Sequence, residues 1–359
     1  MNKSELESLR EEIDQIDSEI VKLLNLRVGK ACEIGKIKQV SGVDPYDPAR
    51  EEQVFKKLSG YSDGPLREVS LRAVYREVIS ASIALEKDMT IGYLGPEATY
   101  THQAAVKNFG SGLKYQPLPD IPDVFLAVER GHCDYGVVPI ENSTEGAVNR
   151  SLDLLVDSDL TIISQVFLRV CHCLFSQSSL AEISEVRSKD QALAQCSEWL
   201  RTHLPGAQLV PVTSTAEAVK ECQSKKGVAA IAGELAGNIY DVPMLEGGIQ
   251  DRSDNVTRFL VVARQSLPMR TGVTYRTSLV LSLKDEVGAL QNALKPFSDR
   301  GINLCKIESR PSKRKSWDYF FFVDFIGHPE DKRVCEAMEE LQDACAFARL
   351  LGSYPESEV

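Results

Sequence analysis

The sequence predicts a multidomain protein of three unlike parts: an all-α segment over residues 1–88, an α/β segment over 89–270, and an α+β segment of ferredoxin-like order over 271–359. Three observations carry this. In the first part apolar residues recur at spacings of three and four, the period of a helix. In the second, short β-rich runs (TIGYLG, DYGVVPI, LTIISQVFLRV, QLVPVTS, GVAAIAG, RFLVVAR) alternate with helical stretches, the signature of an α/β layer. In the third the pattern reads strand, helix, strand, strand, helix, strand. Length agrees, since 359 residues exceed one ordinary core at a prior of roughly 100–200 residues per domain.

The first helix rests on Leu6, Leu9, Ile13, Ile16, Ile20 and Leu23, with no glycine before Gly29. A loop at Ser41-Gly42-Val43-Asp44-Pro45 ends it. Asp47-Pro48 then offers an N-cap carboxylate and a proline at the first helical position, and a third helix follows Asp63-Gly64-Pro65 to about Lys87. Such helices cannot close a core alone, so the long one is expected to pack against a second copy. The seam from Leu6 runs in phase through Arg27 and Lys30 to Ile34 and Ile37, placing charge where packing is expected. Lys38 lies three helical turns after Arg27, about 16 Å along the axis. The two side chains converge on one anionic ligand, or Arg27 snorkels at an oligomer edge.

Here the chain resembles the all-helical chorismate mutase family over residues 4–88. The matching positions are Arg10, Arg27, Lys38, Asp47, Arg50, Glu51, Ser82 and Glu86. The resemblance implies a chorismate pocket in an intertwined dimer, with Arg10 supplied by the partner chain. Arg10, Arg27 and Arg50 would act on carboxylates and chain packing. Lys38 and Glu86 would donate to the ether oxygen, and Glu51 would hold the ring hydroxyl. The rearrangement is intramolecular, without proton transfer, so clamping and electrostatic stabilisation suffice. Glu86 stands where enteric relatives carry glutamine, and a glutamate donates only when protonated.

In the middle segment, IGYLGPEATYTHQAA reads as strand, turn and hydroxyl-rich helix start, a weak anion-site signal. The run TIISQVFLRVCHCLF reads as one strand, on which Cys171, His172 and Cys173 alternate between faces and share no metal. More informative, Glu141, Asn142, Ser143 and Thr144 follow one buried strand, and Asn255, Thr257 and Arg258 precede another. Polar residues at strand ends are where α/β crevices form. The pair ENSTEG and DNVTRF makes the segment resemble prephenate dehydratase. That resemblance implies two α/β subdomains arranged like a periplasmic binding protein, with the active site between them. Thr257 would be catalytic; Asn142, Ser143, Thr144, Ser188, Gln195, Thr213, Ser214 and Thr215 would line the substrate cleft. Arg258 would orient a carboxylate or form a structural ion pair with a cleft glutamate.

The last segment resembles the ACT regulatory domain through Gly288-Ala289-Leu290 and Glu308-Ser309-Arg310-Pro311, which implies a phenylalanine site at a dimer interface. A glycine at a helix start lets a carboxylate approach backbone N–H groups. Gln291 departs from the apolar residue of many relatives. The run YFFFVDF reads as sheet core.

Together these features point to phenylalanine biosynthesis: chorismate to prephenate, then decarboxylation and dehydration to phenylpyruvate, under feedback by L-phenylalanine. The alternatives are an arogenate dehydratase and a non-catalytic amino-acid-binding regulator. A formal net charge of −11 argues against nucleic acid or anionic membrane as partners. The nine cysteines lack a paired spacing and read as reduced. No metal or other cofactor is expected. An acidic, amphipathic N-terminus with no apolar signal core predicts the cytoplasm, and the long helix that must pack against a second copy predicts a homodimer or homotetramer.

Overall fold

The computed structural model describes residues 3–40, 44–313 and 317–357; the loop expected at Ser41-Gly42-Val43 lies outside the described residues. The chain divides into two compact units, one of Met1–Asp47, Val54–Met89 and Phe109–Lys114, the other of Pro48–Gln53, Thr90–Asn108 and Tyr115–Val359.

The first unit is helical, made of α1 (Lys3–Val40), α3 (Glu68–Glu86) and the part of α2 (Pro48–Tyr61) from Val54 onward. Proline opens α2, where its missing N–H has no helical partner to lose. Within the unit, Arg72 and Arg76 of α3 both lie against the ring of Phe55 of α2, with guanidinium carbons 4.6 and 4.8 Å from the ring centre. The predicted seam is exposed, with Ile13 at 56%, Ile34 at 55% and Ile37 at 69%. The half-buried face of α1 carries Leu24, Arg27, Val28, Ala31, Cys32, Gly35 and Lys38 instead. Arg27 is therefore out of register with Lys30, Ile34 and Ile37. At about 100° per residue, Arg27 sits at the edge of that face, and Ile34, Lys30 and Ile37 fall about 20°, 60° and 80° further round, toward solvent.

The second unit begins with β1 (Thr90–Leu94), α4 (Tyr100–Phe109), β2 (Lys114–Leu118), α5 (Ile121–Glu129) and β3 (Tyr135–Asn142). Next come β4 (Gly146–Ala147), α6 (Asn149–Asp157) and β5 (Thr161–Arg169). The chain then crosses to a second sheet through β6 (Cys173–Phe175), β7 (Glu185–Ser188), α7 (Asp190–Gln195), α8 (Ser197–His203) and β8 (Gln208–Pro211). After α9 (Thr215–Cys222), β9 (Val228–Ala232), α10 (Glu234–Tyr240) and β10 (Met244–Gly247), it returns as β11 (Val256–Ala263). The first sheet has the order β2-β1-β3-β11-β5, and the second β10-β6-β9-β7-β8. The run read as a single strand is thus two, β5 and β6, in different sheets, with residues 170–172 as the link between them. The returning β11 inserts between β3 and β5, which sets Thr257 directly opposite Asn142.

The C-terminal part is the expected βαββαβ: β12 (Tyr275–Leu283), α11 (Ala289–Asp299), β13 (Leu304–Pro311), β14 (Tyr319–Ile326), α12 (Lys332–Ala344) and β15 (Cys345–Pro355). Its sheet has the order β13-β14-β12-β15. One face packs both helices through Leu279, Leu281, Val323, Phe325, Phe297 and Leu341. The opposite face puts Val280, Phe320, Phe322, Leu351 and Tyr354 into the same core as Ile140, Leu152, Leu155 and Leu260 of the first sheet and its helices. YFFFVDF is therefore sheet core divided between two layers. Each such buried side chain contributes about 1.5–3 kcal/mol, which is why this part shares a compact unit with the α/β part.

Candidate active sites

In the helical unit, Arg27 and Lys38 of the expected site lie on the half-buried face of α1, and Ser82 and Glu86 on α3. Arg27 Nη1 donates to Ser82 Oγ at 3.3 Å, and Ser82 Oγ donates to the Val78 carbonyl at 2.8 Å. Lys38 Nζ donates to the Pro45 carbonyl at 3.0 Å. Glu86 lies over Gly35, where a Cβ would fall 2.7 Å from the carboxylate. A glycine in α1 thus makes room for an acid from α3, a requirement that sequence reasoning missed. Burial raises the Glu86 carboxyl above its ordinary range, and Lys38 pulls it back only in part. Asp47 and Glu51 are buried, and Arg50 is exposed and donates to Gln53 at 3.2 Å. Arg10 is exposed, and the rise of α1 sets it about 25 Å from Arg27 along the axis. Within one chain those two arginines cannot share a ligand.

The second site is a cavity of about 910 Å³ lined from both sheets, by Asn142, Asn255 and Thr257 on one side and Gln195, Thr213 and Thr215 on the other. Hydrogen bonding fixes the orientation of Asn142. Its Oδ1 accepts from the backbone N–H of Thr144 and of Glu145, both at 3.0 Å, which closes a turn after β3. Its Nδ2 donates to Asn255 Oδ1 at 2.7 Å and to Thr257 Oγ1 at 2.8 Å. Because Thr257 accepts from Asn142, its own hydroxyl proton is left to donate into the cleft. Across the cavity, Gln195 Oε1 lies 2.8 Å from His172 Nε2, and His172 Nδ1 lies 2.7 Å from the buried Tyr100 hydroxyl. Burial lowers the His172 imidazole below its ordinary range, while the hydrogen bond with Gln195 opposes the shift. The neutral form is favoured.

Four expected cleft residues do other work. Ser143 lies outside the lining: its Oγ accepts from the Val256 N–H at 3.0 Å and tacks down the start of β11. Thr144 is outside it too, and spends its N–H on the turn at Asn142. Ser188 is fully buried and donates to the Ile231 carbonyl at 2.6 Å, stitching β7 to β9. Arg258 points to the opposite face of β11 from Thr257, as strand alternation requires. Its Nη1 donates to Asp324 Oδ2 at 2.6 Å, its Nε to Gln165 at 3.0 Å and its Nη2 to Tyr354 at 2.8 Å. It is a structural ion pair, but with β14 and not with a cleft glutamate.

Residues 9–87 match the family profile of chorismate mutase type II, 91–267 that of prephenate dehydratase, and 277–343 that of the ACT domain. A relative from Aquifex aeolicus, named bifunctional chorismate mutase/prephenate dehydratase, is 44% identical over 358 residues and covers 98% of each chain. The chain belongs to the bifunctional chorismate mutase/prephenate dehydratase family. Among solved structures, prephenate dehydratase from Arthrobacter aurescens in complex with L-Phe is 35% identical with a TM-score of 0.68, over 75% of this chain and 90% of that one. A protein described as GqqA, a novel type of quorum quenching acylases, is 27% identical with a TM-score of 0.69, over 75% of this chain and 98% of that one. One fold over this stretch thus carries more than one description, so the chemistry is set by the residues of the cleft.

In this member of the bifunctional family the ACT residues divide in two. Gly288, with φ of +84°, caps α11, Ala289 is buried behind it, and Leu290 is partly exposed at 37%. Ser309 is exposed on β13, while Lys306, Glu308 and Arg310 alternate with it. Arg310 is not free for a ligand within this chain. It forms a bidentate pair with Asp153 of α6, whose carboxyl is held down at about 2, first by the Arg310 hydrogen bond, against burial and with help from Lys313. Sequence reasoning also missed Tyr100, His172, Lys189 and Lys220 in the cleft lining. The available signal for His172 was length: residues 161–175 are too many for one typical strand of about five or six. Among the described residues, no helix is long and apolar enough to cross a membrane, and no cluster of His, Cys, Asp and Glu could hold a metal ion.

Proposed function

We propose that this enzyme rearranges chorismate to prephenate in the helical part, converts prephenate to phenylpyruvate in the two-sheet cleft, and responds to L-phenylalanine through its C-terminal domain. The domains are taken as 1–88, 89–270 and 271–359. The observation that carries the dehydratase reading is the Asn142–Thr257 pair, which leaves one hydroxyl proton aimed into a cavity of substrate size. Prephenate loses its ring carboxylate as carbon dioxide, and the electron pair of that bond enters the ring while the hydroxyl opposite departs. Thr257 donates to that hydroxyl, which leaves as water with one proton from solvent, and aromatisation drives the step. Lys189, Lys220 and the N-terminal turn of α9, which carries Thr215, supply positive potential for the remaining carboxylate of the product.

For the mutase, Arg27 and Lys38 share one half-buried helix face with Ser82 and Glu86 packed beside them, a clamp for a dicarboxylate that undergoes no proton transfer. Arg10 of a second copy completes it, which also covers the exposed seam of α1. Arg50 is assigned with Arg10 and Arg27 to the carboxylates and chain packing, Glu51 to the ring hydroxyl, and Asp47 to the lining. Phenylalanine is assigned to Gly288, Ala289, Leu290, Glu308 and Ser309 at an interface between ACT domains, supported by the L-Phe complex of the Arthrobacter aurescens relative. Purified protein fed chorismate should form phenylpyruvate, and phenylalanine should slow it. Accumulation of prephenate with no phenylpyruvate would overturn the dehydratase assignment.

A further inference from the structure

The backs of the two reactive strands carry a square of charges. On β3 and β11, Asn142 stands opposite Thr257 and, one residue along on the other face, Glu141 stands opposite Arg258. On the ACT sheet Lys306 of β13 stands opposite Asp324 of β14. The two pairs meet face to face. Lys306 Nζ lies 2.7 Å from Glu141 Oε2, and Arg258 Nη1 lies 2.6 Å from Asp324 Oδ2. Asp324 is further fixed by Ser278 Oγ at 2.6 Å, and Arg258 by Gln165 and Tyr354. Between Arg258 and Phe259 the β3–β11 register shifts, so Phe259 pairs with Pro139 and a bulge falls beside the reactive pair. A bulged strand bends easily and re-aims its neighbours, so what holds the register there also holds the aim of Thr257.

We propose that Glu141 and Arg258 are positioning residues for the dehydratase, held by Lys306 and Asp324, so that the ACT sheet sets the alignment of Asn142 with Thr257. This rests on the reading of Thr257 as the reactive donor. The Arg258 and Asp324 side chains are 6% and 9% exposed and hydrogen-bonded, which makes the geometry of that pair specific. Lys306 is 13% exposed and holds the half-buried Glu141, 35% exposed, by charge. The square touches no substrate. It acts through backbone: Glu141 of β3 is peptide-bonded to Asn142 and Arg258 of β11 to Thr257.

The test uses the full-length enzyme with Asp324→Asn, Lys306→Met and Lys306→Arg, each checked for folding by circular dichroism. Asp324→Asn and Lys306→Met should lower dehydratase kcat about 10- to 100-fold, the cost of a misplacement near 1 Å, with KM for prephenate little changed and mutase kcat intact. Lys306→Arg should keep most of the activity. Glu141→Gln combined with Lys306→Met should be no worse than the worse single change, because both break one contact. Should Asp324→Asn not fold, Lys306→Met on the edge strand decides alone. Folded variants with wild-type dehydratase kcat, whatever their melting temperature, would overturn the proposal. A Thr257→Ala control separates the failures: if that change spares the dehydratase, the site assignment falls first.

Discussion

The two candidate sites solve opposite problems with opposite materials. The helical site is built from long, flexible cations on one face of α1, has Arg10 far out of reach along the same helix, and leaves its apolar seam exposed in the single chain. The cleft is built from short neutral groups whose hydrogen bonds fix one another, and every member of its Asn142–Asn255–Thr257 cluster comes from one chain. A pericyclic rearrangement needs a charged mould that compresses a flexible dianion, and a second copy can supply part of it. Expulsion of hydroxyl needs one donor in one direction, which a rigid lattice supplies best.

That contrast can be broken most sharply at Thr257. Thr257→Ala should cost the dehydratase about 10²–10³ in kcat, the loss of one preorganised donor, and leave mutase turnover unchanged. Equal loss of both activities in folded protein would refute two separate sites. Arg27→Ala should do the reverse, with a mutase loss of about 10²-fold, and unchanged chorismate turnover would make Arg27 structural. At Gly35 an added methyl meets Glu86, so Gly35→Ala should cost roughly 1–3 kcal/mol of stability or displace that side chain. Thermal melts together with mutase KM would show which.

Glu86 sharpens the comparison by pH. Its carboxyl is raised by burial, so the protonated, donating form persists to higher pH than for a free glutamate and is lost as pH climbs through the folded value. Mutase kcat should therefore fall with rising pH, and Glu86→Gln should flatten that fall. Superimposable profiles would remove Glu86 from the reaction. The smallest effect concerns Asp153, whose carboxyl is depressed to about 2 by Arg310. Its contribution is present above the ordinary carboxylate range and lost as pH falls toward 2. Asp153→Asn should cost about 1–3 kcal/mol at neutral pH and nothing in strong acid. Equal melting losses at both pH values would mean that packing, not charge, is at stake.

Periodicity made the fold classes legible, because helices and strands bury faces at different repeats. It made the six elements of the C-terminal part legible too. It did not show that Phe320 and Phe322 face another layer while Val323 and Phe325 face their own helices, since alternation says that two faces are buried and not by what. For the candidate site, ENSTEG and DNVTRF pointed to Asn142 and Thr257, which the fold pairs in the cavity wall, while Ser143, Thr144 and Arg258 beside them lie outside it. Neighbours on a strand point in opposite directions, so a motif marks a place on the backbone more surely than a list of ligands. Gly35 and Tyr100 were illegible because each acts through a partner far away in sequence, Glu86 and His172.

The threading of β11 has a consequence for how the protein is made. The strand that joins β3 to β5 in the first sheet is synthesised last, after the whole second sheet, so those two strands wait with unpaired edges while about ninety residues emerge. The first sheet is therefore dominated by contacts distant along the chain and should close slowly. A nascent chain stalled before Val256 holds the entire second subdomain and still has no Thr257 to align. It presents to the cell a pair of apolar strand edges that only its own unfinished C-terminus can fill.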